Sequence, residues 1–271
     1  MVELPDAQIL AGGTDLLVDV ETGLRRAQNV VAINDVPELK QVRIEDRRIS
    51  IGAACTASEI QNNAIIKQHL PELAAMVVLF ASPQIRNRAT LAGNICSAVP
   101  CGDFPPMLMA LGADIELQST RGSRVLPLSE FFVANRETVR QADEILTRIL
   151  VPMKPERAAA RYLKFRRRAS NSLALVSVAV YLELGDCVCK QARIILGSVA
   201  PTPLPATEAS ASLLGKSIDD ASTAAAAEIA AGESKPISDL RGSKKYRRQL
   251  VQVLTERGLR QLAATISGDQ T

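Results

Sequence analysis

Tryptophan is absent and histidine occurs once, at position 69. Aromatic residues make up only 3% of the chain, too few to build a base-stacking surface for single strands. A formal charge of +3 is too small for a basic nucleic-acid face, so no nucleic-acid partner is expected. No apolar run is long enough to span a bilayer; the best candidate, Leu173 to Leu184, has the length of a buried strand with its edges. The start, MVELPDAQILAGG, lacks a basic segment followed by an apolar one, so no signal peptide is expected. Five cysteines, an odd number without framework spacing, read as reduced thiols in a cytoplasmic protein. The G-x-G-x-x-G and G-x-x-x-x-G-K-[ST] signatures are missing too, so neither a Rossmann nor a P-loop site is supported.

What is present is ample core material. Of 271 residues, 47% are hydrophobic and 23% charged, enough for one large domain or two ordinary ones. AQILAGG reads as a short strand ending in a glycine turn. TDLLVDVETGLRRA then fits a helix, with Leu16, Leu17, Val20 and Leu24 on one side and Thr14 as cap. NVVAIND is a second strand. RRISIGAAC is a third, at a sheet edge or in a hairpin. Residues 56–82 read as helix in two pieces, broken before Pro71, with Thr56 and Glu59 at capping-box spacing. Strands at 113–120 and 123–128 flank the Arg121-Gly122 turn, and DEILTRILVP is a strand ended by Pro152. The polar segment after it places a domain boundary near 155, giving domains 1–155 and 156–271. The later part opens with strands and closes with helices. The whole is α+β, without internal repeats.

The stretch TLAGNICSAVPCGDFPPMLMALGA, from Thr90 to Ala113, raises a question of chemistry. It brings a small-residue turn, Cys96, Cys101 and Asp103 together ahead of an apolar helix. The cysteines are candidates for a metal site, and the turn is a candidate for a phosphate site. Ala11-Gly12-Gly13-Thr14 is a second such turn, at a strand-to-helix junction. Glycine admits close approach of backbone to ligand, and successive amides form an anion-binding nest. Two such turns suit a diphosphate held from both sides. Glycine turns at strand ends are also often only turns.

ILAGGTDLLV, ASPQIRNRATLAGNICSAVPCGDFPPMLMALGA, DEILTRILVP, YLKFRRRASNSLALVSVAV and GSKKYRR follow one another in this order. Together they resemble the FAD-binding (medium) subunit of the molybdenum hydroxylase, or xanthine dehydrogenase, family, over nearly the whole chain. The chain departs from the family at Ala92, where many members carry a glycine. It also departs at its start, where members usually carry a further strand and helix, so a reduced first lobe is expected. The resemblance implies a two-lobed FAD-binding domain of the PCMH/VAO-like kind, followed by a smaller α+β C-terminal domain. It implies an oxidoreductase subunit that takes electrons from [2Fe-2S] clusters of a small subunit and passes them to an external acceptor. It implies that substrate is oxidised upstream, at molybdopterin on a large subunit, and that the complex is a dimer of heterotrimers. A stand-alone FAD-dependent oxidoreductase and a non-enzymatic assembly scaffold are the alternatives.

The resemblance also assigns residues. Leu10, Ala11, Gly12, Gly13, Thr14, Asp15 and Leu16 wrap the diphosphate and ribityl chain, with Asp15 turned away or meeting a ribityl hydroxyl. Thr90, Gly93 and Asn94 form the second clamp, unless Asn94 serves only to hold a left-handed turn. Asp103 accepts from sugar hydroxyls or caps the following helix. Phe80, Leu146 and Lys164 match positions that line the cofactor; their alternatives are core for the first two and solvent for the lysine. No catalytic residue and no metal ligand is assigned. The spacings Cys96–Cys101 and Cys187–Cys189 lack the four converging thiolates a cluster needs and read as small buried hydrophobes. His69 reads as a surface or capping residue, and Arg166 to Arg168 and Lys244 to Arg248 as solvated faces or subunit contacts.

Overall fold

A computed structural model describes residues 7–168, 172–185 and 188–268; Cys187 lies outside them. The chain forms two compact units, one of Met1–Ala98 with Gly112–Met153 and one of Val99–Leu111 with Lys154–Thr271. The α+β class expected from sequence is the one observed.

In the first unit, Gln8–Leu10 pairs in parallel with Val30–Ala32. A five-stranded antiparallel sheet runs in the order Val42–Glu45, Arg48–Gly52, Ile145–Pro152, Asp114–Ser119, Gly122–Pro127. Ile51, Ile149 and Ile115 form one cross-strand row in it, each fully buried. Two hairpins form, one through RRISIGAAC, expected at a sheet edge or in a hairpin, and one at the expected Arg121-Gly122 turn. The first turns at Asp46 and Arg47, whose positive φ values of 46° and 58° are those of a two-residue hairpin loop. Its second strand lies inside the sheet, with only the first at the edge.

Residues 57–79 form three helices, Ala57–Asn62, Ala64–His69 and Pro71–Leu79, where two were expected. The extra break is at Asn63, whose side chain accepts from the amides of Ile65 and Ile66 and so starts a new helix. The Thr56–Glu59 capping box is present. The expected helix after the first glycine turn is cut to Leu16–Glu21, and its apolar side is not buried in this chain: Leu17 is 54% and Leu24 73% exposed. The buried residue is Asp19, which accepts from Arg136 at 2.7 Å and pairs with Arg25.

The second unit is a three-layer arrangement. Its sheet runs Ala158–Phe165, Val176–Gly185, Val188–Gly197, Leu204–Pro205, all antiparallel. Val176, Val178, Val180 and Leu182 face the core shared with the helices Thr207–Leu213, Asp220–Glu233 and Lys244–Ser267. On the other face Gly197 lies close to Pro106 of the helix Phe104–Ala110, every residue of which is buried. Covering both faces explains why the central strand is apolar without alternation.

The run Lys244 to Arg248 divides. Lys244, Lys245, Tyr246 and Arg248 are exposed, but Arg247 is 1% exposed, contrary to the solvated role expected of it. Its guanidinium donates to the carbonyls of Leu175 and Ser198 and pairs with Asp239 at 2.8 Å. Arg247→Met should therefore cost about 3–5 kcal/mol in urea unfolding, because buried acceptors lose their donor. Hydrogen bonds from Arg241 and then Arg247 hold the Asp239 carboxyl well below the usual carboxylate range. That stabilisation is complete above the unfolded aspartate value and is lost as pH falls below it. The stability gap between wild type and Asp239→Asn should accordingly close below about pH 4.

Candidate functional site

In the first unit the strand Gln8–Leu10 ends in a turn that reverses at Gly13, with φ of 75°. Leu10 to Thr14 and Leu16 are half-buried, and Asp15 is exposed. Among the described residues, no hydrogen bond takes the amide N–H of Gly12, Gly13, Thr14 or Asp15. Four successive free donors are what an anion nest requires. Asp15, rather than Thr14, occupies the N-cap position, and it makes no capping bond. Its carboxylate instead accepts from Ser97 Oγ at 2.5 Å, which holds the acid in place.

The second turn uses its amides internally. Thr90 caps the helix Leu91–Cys96, its hydroxyl accepting from Gly93 at 3.1 Å. Leu91 donates to Cys55, Ala92 to Ala53, and Asn94 to Thr90. Asn94 is thus helical; the left-handed residue nearby is Ala98, with φ of 46°. The second motif bears on the first by packing. A Cβ on Gly12 would overlap the carbonyl oxygen of Arg88 and lie 2.7 Å from its carbon. Gly93 is less constrained, since a Cβ there meets only Thr90 Oγ1, at 2.8 Å. Gly93→Val should disturb the Thr90 cap, at about 1 kcal/mol, and lower the flavin-to-protein ratio without emptying the protein.

In the second unit Asp103 precedes the helix Phe104–Ala110 but does not cap it. Its carboxylate, 4% exposed, accepts from Tyr162 Oη at 2.5 Å and pairs with Lys164 Nζ at 2.8 Å. The Lys164 side chain is 2% exposed, so the solvent-facing alternative is corrected. Burial pushes the Asp103 carboxyl up, against the pull of Lys164, Tyr162 and Arg166. Burial, with the Asp103 charge, raises the Tyr162 phenol further above its ordinary range. Tyr162 was not singled out from sequence. The signal was period two: residues 162 and 164 of one strand face the same way.

Phe80 and Leu146 are buried in the first unit, Leu146 opposite Leu117 in the sheet. Cys55 and Cys189 are buried, and Cys96 and Cys101 half-buried. Burial pushes the Cys96 thiol up to about 11, and burial and Asp103 raise that of Cys101. Among the described residues no group of three or more His, Cys, Asp or Glu side chains is placed to hold a metal, and no helix is long and apolar enough to cross a membrane.

Free amides on a glycine turn suit an anion such as a phosphate group. Two family models match the chain: the FAD binding domain in molybdopterin dehydrogenase over residues 1–154, and the CO dehydrogenase flavoprotein C-terminal domain over residues 160–262. The nicotine 6-hydroxylase medium subunit of Paenarthrobacter nicotinovorans is 34% identical, covering 93% of this chain and 88% of its own. The putative xanthine dehydrogenase FAD-binding subunit of Escherichia coli is 29% identical, covering 99% and 92%. A solved structure of carbon monoxide dehydrogenase from Hydrogenophaga pseudoflava superposes with a TM-score of 0.93 at 32% identity, over 96% of this chain and 90% of that one. The chain belongs to the FAD-binding medium subunits of the molybdenum hydroxylase family, and is an oxidoreductase subunit whose cofactor is FAD.

The unpaired amides of Gly12 to Asp15 are donors of the kind that this cofactor's diphosphate takes. FAD should be held without a covalent bond. His69, the one histidine, ends the helix Ala64–His69, outside both glycine motifs. Acid precipitation should release all the flavin into the supernatant; flavin in the pellet contradicts this.

Proposed function

We propose that this subunit is the electron-exit station of a multi-subunit molybdenum hydroxylase. It takes electrons from [2Fe-2S] clusters on a partner subunit and passes them to an external acceptor. Molybdopterin, where substrate is oxidised, belongs to a large partner subunit, and the assembly is a dimer of heterotrimers. The observation that carries the reading is the run of free amides at Gly12 to Asp15, within a chain that matches flavin subunits over both of its parts.

Bound FAD supplies chemistry that accepts electrons singly and releases them one or two at a time, which suits the exit end of a chain of clusters. In the first unit Gly12, Gly13, Thr14 and Asp15 donate amides to the diphosphate, with Leu10, Ala11 and Leu16 fixing the turn. The Thr14 hydroxyl donates to a phosphate oxygen. Thr90, Gly93 and Asn94 belong to the helix that follows Arg88 and Ala89, the backbone against which this turn packs, while Phe80 and Leu146 give apolar contact. In the second unit Asp103 accepts from a sugar hydroxyl and Lys164 sets a positive charge beside the cofactor.

The substrate is chosen elsewhere. Relatives named for carbon monoxide and for quinoline superpose on this chain with TM-scores of 0.93 and 0.92, so the fold of this subunit hardly varies with substrate. The chain also offers one His and three Tyr, a poor supply of the acid–base groups that substrate chemistry needs. The test is turnover with a dye acceptor. The chain expressed with its two partners should oxidise an aldehyde, purine, or N-heteroaromatic substrate; the chain alone should not. Full turnover by the isolated chain overturns the proposal.

A further inference from the structure

We infer that Tyr162 is a positioning residue: its buried hydroxyl fixes Asp103 so that one carboxylate oxygen holds Lys164 while the remaining lone pairs serve a cofactor hydroxyl. The inference rests on the reading of Asp103 and Lys164 as cofactor-binding residues.

The geometry carries it. Tyr162 donates to Asp103 Oδ1 at 2.5 Å, and Lys164 holds Oδ2 at 2.8 Å. Each partner is thus assigned its own oxygen. A carboxylate has about four acceptor sites, so two donors leave room for a ligand hydroxyl. Tyr162 and Lys164 sit two residues apart on the strand Ala158–Phe165, opposite Ala179 and Ser177 of the next strand. The sheet therefore sets the spacing of both donors, and Asp103, at the start of a wholly buried helix, is held between rigid elements. A tyrosine is an unusual choice at such a place if only packing is needed. Phenylalanine fills the same volume without a hydroxyl to satisfy.

A hydroxyl donating to a carboxylate favours its charged form. Removing it leaves a buried oxygen short of a partner, and Asp103 then takes a proton at higher pH. The charged and titratable groups around it are Lys164 and Arg166 on the neighbouring strand and just beyond it, and Cys101 on its own segment, itself near Arg241. None of these replaces the lost donor.

The experiment measures FAD dissociation constants across pH for wild type, Tyr162→Phe, Asp103→Asn and the double variant, with thermal unfolding of each as the check on folding. Tyr162→Phe should bind FAD about tenfold more weakly at neutral pH. The pH below which its affinity falls should lie about one unit above that of wild type. Asp103→Asn should bind weakly without that transition, and adding Tyr162→Phe to it should change nothing further. A wild-type affinity and pH profile in Tyr162→Phe overturns this inference and leaves the cofactor reading standing. Wild-type affinity in Asp103→Asn instead overturns the reading of Asp103 itself.

Discussion

Gly12→Val purifies folded but without flavin. The atoms that a Cβ would strike are backbone: the Arg88 carbonyl, and the Ala89 Cα at 3.0 Å. A side-chain tip swings away; a carbonyl in a packed turn does not. The first turn must move off the second, and the row of free amides from Gly12 to Asp15 moves with it. Overpacking of this kind costs about 1–3 kcal/mol, or roughly 5- to 150-fold in affinity if it falls on the bound state. Gly23→Ala is the control. Gly23 has φ of 74° but open space where its Cβ would go, so this variant is strained locally and should keep its flavin. Flavin per chain measured after gel filtration, with circular dichroism for the fold, decides between them. A Gly12→Val protein with full flavin contradicts the close packing of the two motifs.

Lys164→Met is expected to damage the second unit as much as Arg247→Met. It leaves Asp103 buried beside an apolar stem with Tyr162 as its remaining hydrogen-bond donor among the described residues. Breaking one side of a buried pair costs about 3–5 kcal/mol, whereas replacing both sides can be neutral. The sign of the pH dependence follows from burial. The native Asp103 value, already raised, rises further once the ammonium is gone, so the native state then binds a proton that the unfolded chain releases. The penalty is fully felt above the native value and fades as pH falls through it. Urea midpoints should separate Lys164→Met from wild type more widely at pH 8 than at pH 5. An equal gap at both contradicts the buried pair.

Legibility in the sequence tracked the range of the interactions. The capping box at Thr56, the hairpin at Arg121-Gly122 and the strand end at Pro152 are local devices, and each was readable. The glycine turn at 12–13 was conspicuous, but the reason for Gly12 is the Arg88 carbonyl, which no local pattern names. The helix after it was overread because Leu17, Val20 and Leu24 have helical spacing. What is buried is Asp19, through a bond to Arg136 that spans 117 positions. Arg247 looked solvated within a basic run. Its partners at Leu175 and Ser198 lie 72 and 49 positions away. Lys164 could be matched to relatives, yet its burial depends on Asp103, which arrives from a segment 61 positions earlier.

Electron entry from a partner subunit is the central claim, and anaerobic flavin reduction measures it directly. Substrate is added without oxygen to the assembled complex and, separately, to this chain loaded with FAD. The flavin absorbance should bleach in the complex and stay oxidised in the isolated chain. Bleaching of the isolated chain by the same aldehyde, purine or N-heteroaromatic compound would contradict the account, because the flavin would then be taking electrons from substrate itself.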